Sequence, residues 1–161
     1  MKRILTRGVA AAGLAAIATV FAVAAHGGSP DTTALAAAPM TGEQAFTKEC
    51  GACHMPYPAV FLPARSWTAI TGDLAHHFSE DASLDPATTK AIADYLTANA
   101  ADTTPGAPAA QILSGVAPTD LPLRITDMPF WNRIHDQVPA SEFARPQVKT
   151  KSNCLGCHTG G

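Results

Sequence analysis

Apolar residues along this chain recur at helical spacing and nowhere alternate as a strand would. Trp67, Ile70, Leu74 and Phe78 share one helical face. Ala91, Ile92, Tyr95 and Leu96 form a second stripe, and Phe130, Trp131, Ile134 and Val138 a third. Start signals sharpen these stripes into elements. Thr41 and Gln44 make a T-x-x-Q capping box for a short helix leading into Cys50. Ser66 predicts an N-cap for a helix running through Phe78. Asp85 followed by Pro86 predicts a helix through Ala100. The run from Thr126 to Val138 predicts one more, capped by Thr126 or Asp127. Between them, Met55–Arg65 is broken by prolines, and residues 103–122 are rich in Pro, Gly and Ala and predict an irregular connection. The class is mostly α with long loops.

The N-terminus follows a different logic. Lys2, Arg3 and Arg7 precede an uncharged apolar run from Gly8 to Ala25, with small-residue cleavage options at Ala22–Ala24 and Ala34–Ala36. This pattern predicts a secretory signal over residues 1–25 and a flexible leader over 26–40. An uncleaved membrane anchor is the alternative, since the run has 18 residues. Its alanine content makes it weakly hydrophobic and favours cleavage. The folded part is expected to be exported, hence periplasmic. Without Lys2, Arg3 and Arg7 the chain holds eight basic and thirteen acidic side chains, a net charge of −5. It has no basic stripe, which speaks against a nucleic-acid partner.

The chemistry lies in four cysteines arranged as Cys50-x-x-Cys53-His54 and Cys154-x-x-Cys157-His158. A disulfide framework would leave very small loops, and a redox dithiol belongs beside a βαβ pattern that is missing here. Zinc ribbons separate their pairs by roughly 15–20 residues and do not require a histidine after each pair. Cys-x-x-Cys-His is the attachment signature of c-type haem. Two spacer residues let both sulfurs reach the vinyl groups on one porphyrin edge, and the next histidine turns under the ring to meet the iron. With six histidines in 161 residues, chance would place one after both pairs roughly once in 700. The motifs therefore predict two covalently bound haem c groups, attached through Cys50, Cys53, Cys154 and Cys157, with His54 and His158 as proximal ligands. Their apolar surfaces would add core to a small domain.

Each iron then needs a sixth ligand, which separates an electron carrier from a catalyst. His26 falls in the leader, and Met55 cannot reach the opposite face of its own haem. His76, His77, Met128 and His135 remain. Helical phase puts His77 toward the Trp67 face and His76 away from it, so His77 is favoured for the first haem. For the second, His135 lies at the edge of the Phe130–Trp131 face, and Met128 is its rival. Only Thr159, Gly160 and Gly161 follow His158, so this ligand is expected from upstream.

Gly42 and Phe46 in the first helix, with Tyr95-Leu96 in a later one, resemble the helix crossing of class I cytochromes c. The stretches CGACHMPYP, LPARSW, HFSEDASLD, YLTANAAD, RITD, Trp131–His135 and SNCLGCH together resemble the dihaem cytochrome c family of DHC type, over residues 42–158. Relatives usually continue further past the second motif. The resemblance implies a class I-like haem domain over residues 41–102, a linker over 103–122 and a loop-rich second haem segment over 123–161. It implies two bis-histidine haems, His54 with His77 and His158 with His135, and a low-potential electron carrier rather than an enzyme. It implies redox-protein partners such as a small oxygen-binding monohaem cytochrome or a membrane b-type cytochrome, and no small-molecule substrate. The alternatives from other classes are a dihaem peroxidase, a gas-binding or redox-sensing protein with one labile distal ligand, and a membrane-tethered donor.

Overall fold

Local capping starts two of the three main helices. In the computed structural model, which describes residues 40–159, Thr41 and Gln44 close the expected box: Gln44 N–H donates to Thr41 Oγ1 at 3.2 Å, and Thr41 N–H donates to Gln44 Oε1 at 3.0 Å. Helix α1 follows, Gly42–Cys50. Asp85 accepts from the Ala87 and Thr88 N–H groups, both at 3.0 Å, with Pro86 opening helix α3, Pro86–Ala98. The expected N-terminal signal and leader lie outside the described residues.

Helix α2 departs from expectation. It spans Ala64–Gly72, starting two residues before Ser66 and ending six before Phe78. The cap comes from far along the chain: Ala64 N–H donates to Asp102 Oδ1 at 2.7 Å. Ser66 is instead fully buried inside the helix, and its Oγ has no hydrogen-bond partner. After Gly72 the chain makes a 3₁₀ turn over Leu74–His76, then bends back through positive φ at Phe78 and Ser79. The stripe from Trp67 to Phe78 is therefore a helix plus a turn.

The proposed irregular connection is also more ordered than its composition suggests. Helix α4, Ala107–Leu113, forms within it and buries Ala109 and Ile112. Arg133 holds the C-terminal end of α4, donating to the Gln111 and Ser114 carbonyls at 3.0 Å each. A cation there satisfies orphan carbonyls and opposes the helix dipole. Arg133 belongs to α5, Pro129–Ile134, which is shorter than the expected Thr126–Val138 helix. Pro129 forces Met128 into an extended conformation (φ −68°, ψ 138°), so the helix begins at Pro129. Thr126 and Asp127 sit in a 3₁₀ turn, Ile125–Asp127. Ile134 is 67% exposed, so it leaves the predicted apolar face. A short α6, Ala140–Phe143, follows, and the second motif ends in a 3₁₀ turn, Cys154–Gly156. The described residues carry six α-helices and no strand beyond an isolated bridge between His77 and Glu80. Residues 40–159 lie within one compact unit.

The frame for the first motif is the crossing of α1 over α3. A Cβ at Gly42 would land on the Ala91 carbonyl oxygen and lie 2.8 Å from Tyr95 Cβ. Phe46 packs on Tyr95 with ring centroids 5.6 Å apart. Helix α2 packs on α3 as well. Trp67, buried there, donates from Nε1 to the Ala59 carbonyl at 2.6 Å, tying α2 to the loop after the first motif.

Three substitutions test this frame. Gly42→Val should lower stability by about 1–3 kcal/mol, because α1 must lift off α3; thermal unfolding reads this as a lower Tm. Asp102→Ala should cost about 1 kcal/mol in urea unfolding through loss of the α2 cap. Ser66→Ala should cost nothing, because its buried hydroxyl is unpaired.

Candidate functional site

Helix α1 carries Cys50 at its last residue, and the following turn presents Cys53 and His54. The His54 ring lies opposite that of His77, with centroids 6.2 Å apart and planes inclined by 22°. Two metal–nitrogen bonds of about 2 Å each, with half a ring on either side, span about this distance. His54 Nδ1 faces the Met55 carbonyl oxygen at 2.6 Å. A carbonyl only accepts, so Nδ1 carries the proton and Nε2 keeps its lone pair. His77 is held below the usual histidine range, first by burial, then by the charges of His54 and Arg124. That favours the neutral imidazole a metal requires.

The physical reason for the position of His77 differs from helical phase, because α2 has ended before it. The bend does the placing: Glu80 N–H donates to the His77 carbonyl at 3.0 Å, and Ala82 N–H to the Leu74 carbonyl at 2.8 Å. His76 points away, its side chain 81% exposed and paired with Asp73 at 2.7 Å. Both facing imidazoles, His54 and His77, line a cavity of about 630 Å³. Its apolar wall includes Phe46, Leu62, Trp67, Ile70, Ile92 and Leu96, and Cys50 and Cys53 lie on its edge. The volume falls within the roughly 300–1,000 Å³ of cofactor pockets.

The second cluster is built around α5. His135 closes that helix, and its Nδ1–H donates to the Trp131 carbonyl at 2.9 Å. Its ring stacks on Trp131, centroids 4.3 Å apart. The His158 ring lies 6.2 Å from that of His135, with planes crossed at 83°. The Cys154–Gly156 turn carries His158, whose N–H donates to the Cys154 carbonyl at 2.8 Å. Asn153 fastens this turn, donating from Nδ2 to the Val148 carbonyl at 2.9 Å. Gly156 sits so close to Val148 that a Cβ would lie 3.0 Å from its Cα. Met128, the rival ligand, is 0% exposed within the hydrophobic core and lines neither described cavity.

Sequence reasoning did not single out Tyr57. Its ring stacks on His54, centroids 4.9 Å apart, and its hydroxyl donates to the Ser152 carbonyl at 2.6 Å. It thus joins the first motif to the residue two before Cys154. A second cavity, about 350 Å³, lies at this junction, lined by Cys53, His54, Tyr57, Ser152 and Leu155 among others. The larger cavity also reaches Ser152 and Cys154. The only local hint is an aromatic residue between Pro56 and Pro58, directly after the motif.

The four cysteines are free thiols and do not converge, and no group of three or more His, Cys, Asp or Glu side chains suited to a metal ion occurs among the described residues. The four-cysteine zinc arrangement therefore lacks its geometry. The donor sets present instead suit two haems: a thiol pair beside an imidazole, with a second imidazole at axial distance, and for the first an apolar cavity of fitting size.

Comparison with known proteins agrees. The family model described as dihaem cytochrome c matches residues 46–161. A dihaem cytochrome c from Rhodobacter sphaeroides is 50% identical, with a TM-score of 0.66 over 72% of this chain and 90% of that one. A crystal structure of DHC purified from the same organism is 46% identical (TM-score 0.58), covering 72% of this chain and 89% of that one. A dihaem c-type cytochrome from Shewanella baltica is 36% identical (TM-score 0.59), covering 74% and 83% respectively. No curated protein matches. The helical fold, the paired thiol and imidazole clusters and these likenesses converge: the chain belongs to the dihaem cytochrome c family, proteins of haem-based electron transfer that carry two covalently attached haem c groups.

Proposed function

We propose that this protein is a low-potential periplasmic electron carrier with two bis-histidine haems, His54 and His77 on the first, His158 and His135 on the second. The observation that carries the reading is the repeated spacing of 6.2 Å between the imidazoles of each pair. Haem supplies a one-electron iron couple; the chain sets its ligands and surroundings. His54 and His135 each give their Nδ1–H to a backbone carbonyl. That bond fixes the ring, directs Nε2 inward and makes the imidazole a stronger donor. Stronger donors stabilise ferric iron, and exchanging methionine for a second histidine lowers the potential in the same direction.

With two imidazoles on each iron, no position remains for a substrate, which argues for a carrier over an enzyme. The redox partners proposed are other electron-transfer proteins, among them a small oxygen-binding monohaem cytochrome or a membrane b-type cytochrome, by family resemblance. The secretory-signal pattern of residues 1–25 supports export. Among the described residues no helix is long and apolar enough to cross a membrane.

Low-temperature EPR of the ferric protein tests the ligation. Two low-spin centres should appear, with unlike signatures. Near-parallel rings at 22° split the iron d-orbitals and give an ordinary rhombic spectrum. Rings crossed at 83° leave two orbitals nearly degenerate and give one strongly anisotropic feature. His77→Met should alter only the first centre and His135→Met only the second, each raising the potential of its own couple. High-spin iron in the oxidised wild type, or ready carbon monoxide binding by the reduced protein, would rule the reading out.

A further inference from the structure

The first cavity is lined by three carboxylate side chains, Glu49, Glu80 and Asp81, and by one arginine, Arg124; no lysine lines it. Glu49 is paired with Lys48 at 2.6 Å. Each of the other described arginines donates to an oxygen: Arg65 to the Ala117 carbonyl, Arg133 to Gln111 and Ser114, Arg145 to Glu142. Arg124 has no such partner among the described residues. Its guanidinium carbon stands 4.1 Å over the Phe78 ring, beside His77 and at the cavity wall. The aromatic face holds the planar group in place while leaving its N–H edges free.

Haem brings two propionate carboxylates on the edge opposite its thioether bonds. In a cavity lined by Glu49, Glu80 and Asp81 these add to an existing negative charge. The guanidinium fork matches a carboxylate in two parallel hydrogen bonds and is always charged. We propose that Arg124 binds a propionate of the first haem and thereby sets the potential of that centre. The inference rests on the reading that the first haem lies between His54 and His77. Its sign follows from charge alone. An unpaired propionate favours ferric iron; pairing it with Arg124 removes part of that preference and raises the potential of this haem over what an uncompensated site would have. Arg124 acts here as a binding and positioning residue, and the bonds to iron are unchanged.

Spectroelectrochemical titration of the haem-loaded Arg124→Gln and Arg124→Lys variants, with EPR on the same samples, tests this. In Arg124→Gln, one couple, the one that His77→Met also moves, should fall. At fixed applied potential its ferric-to-ferrous ratio should rise by about tenfold, which is about 59 mV for one electron. The other couple should hold, and both EPR signatures should persist. Arg124→Lys keeps the charge and should retain most of the wild-type value. An unmoved couple in Arg124→Gln overturns the proposal. Equal falls in the two variants overturn it too, because packing on Phe78 rather than charge would then be the cause. Loss of the bis-histidine signature in the wild type would be a different failure, that of the ligation reading beneath it.

Discussion

Two imidazoles held 6.2 Å apart, twice over, are the constraint around which the rest of this chain is arranged. A gap of that size matches two metal–nitrogen bonds with half a ring on either side, and direct ring contact across it is loose. It must therefore be maintained by the backbone. The first pair relies on a bend with positive φ at Phe78 and Ser79, a conformation that non-glycine residues adopt only when their surroundings compel it. The second relies on a helix end. His135 terminates α5, bonds back to Trp131 and lies flat against that indole, while Asn153 and Gly156 lock the opposing turn onto the segment around Val148. One side of each gap is thus rigid through helix contacts and the other through a tight turn.

Supporting these gaps takes a small core. Helices α1 and α3 meet at Gly42, where the close approach admits no side chain. This contact aligns Phe46 and Leu96 along one wall of the cavity and brings Cys50 to its edge. The second cluster has less wall of its own. Ile134 and Leu155 are largely exposed beside it, and its main anchors are Trp131, Phe143 and the Tyr57 hydroxyl reaching Ser152. Tyr57 stacks on His54 of the first motif and bonds to Ser152, two residues before the second, so one side chain links the two centres. In a chain this short, sharing walls is how two large cofactors can be enclosed by about 120 residues.

The helix starts show how far local signals carry. The Thr41 box and the Asp85 cap are satisfied within three residues, and both were readable as written. Pro129 was equally local, and its restriction on Met128 overrides the polar residues before it. Helix α2 could not be read this way. Its cap, Asp102, lies 38 residues downstream, so Ser66 offered a local candidate where a distant carboxylate serves. Helix α4 is partly local: Ala107, Ala109, Ala110, Gln111 and Leu113 are good helix formers set within a Pro- and Gly-rich stretch, and Arg133 closes the helix end from α5. Helical phase singled out His77 over His76, and those two residues do part ways, yet through a turn rather than a continued helix.

By itself, the sequence determined the mostly helical class, the two attachment motifs and the short list of histidines, because these depend on spacings of a few residues and on side-chain chemistry. Only the tertiary structure decided which rings face each other, at what angle, and that Tyr57 and Arg124 stand beside them. Those relations join residues tens of positions apart, and they exist only once the α1–α3 crossing and the closing turns have brought distant backbone into register.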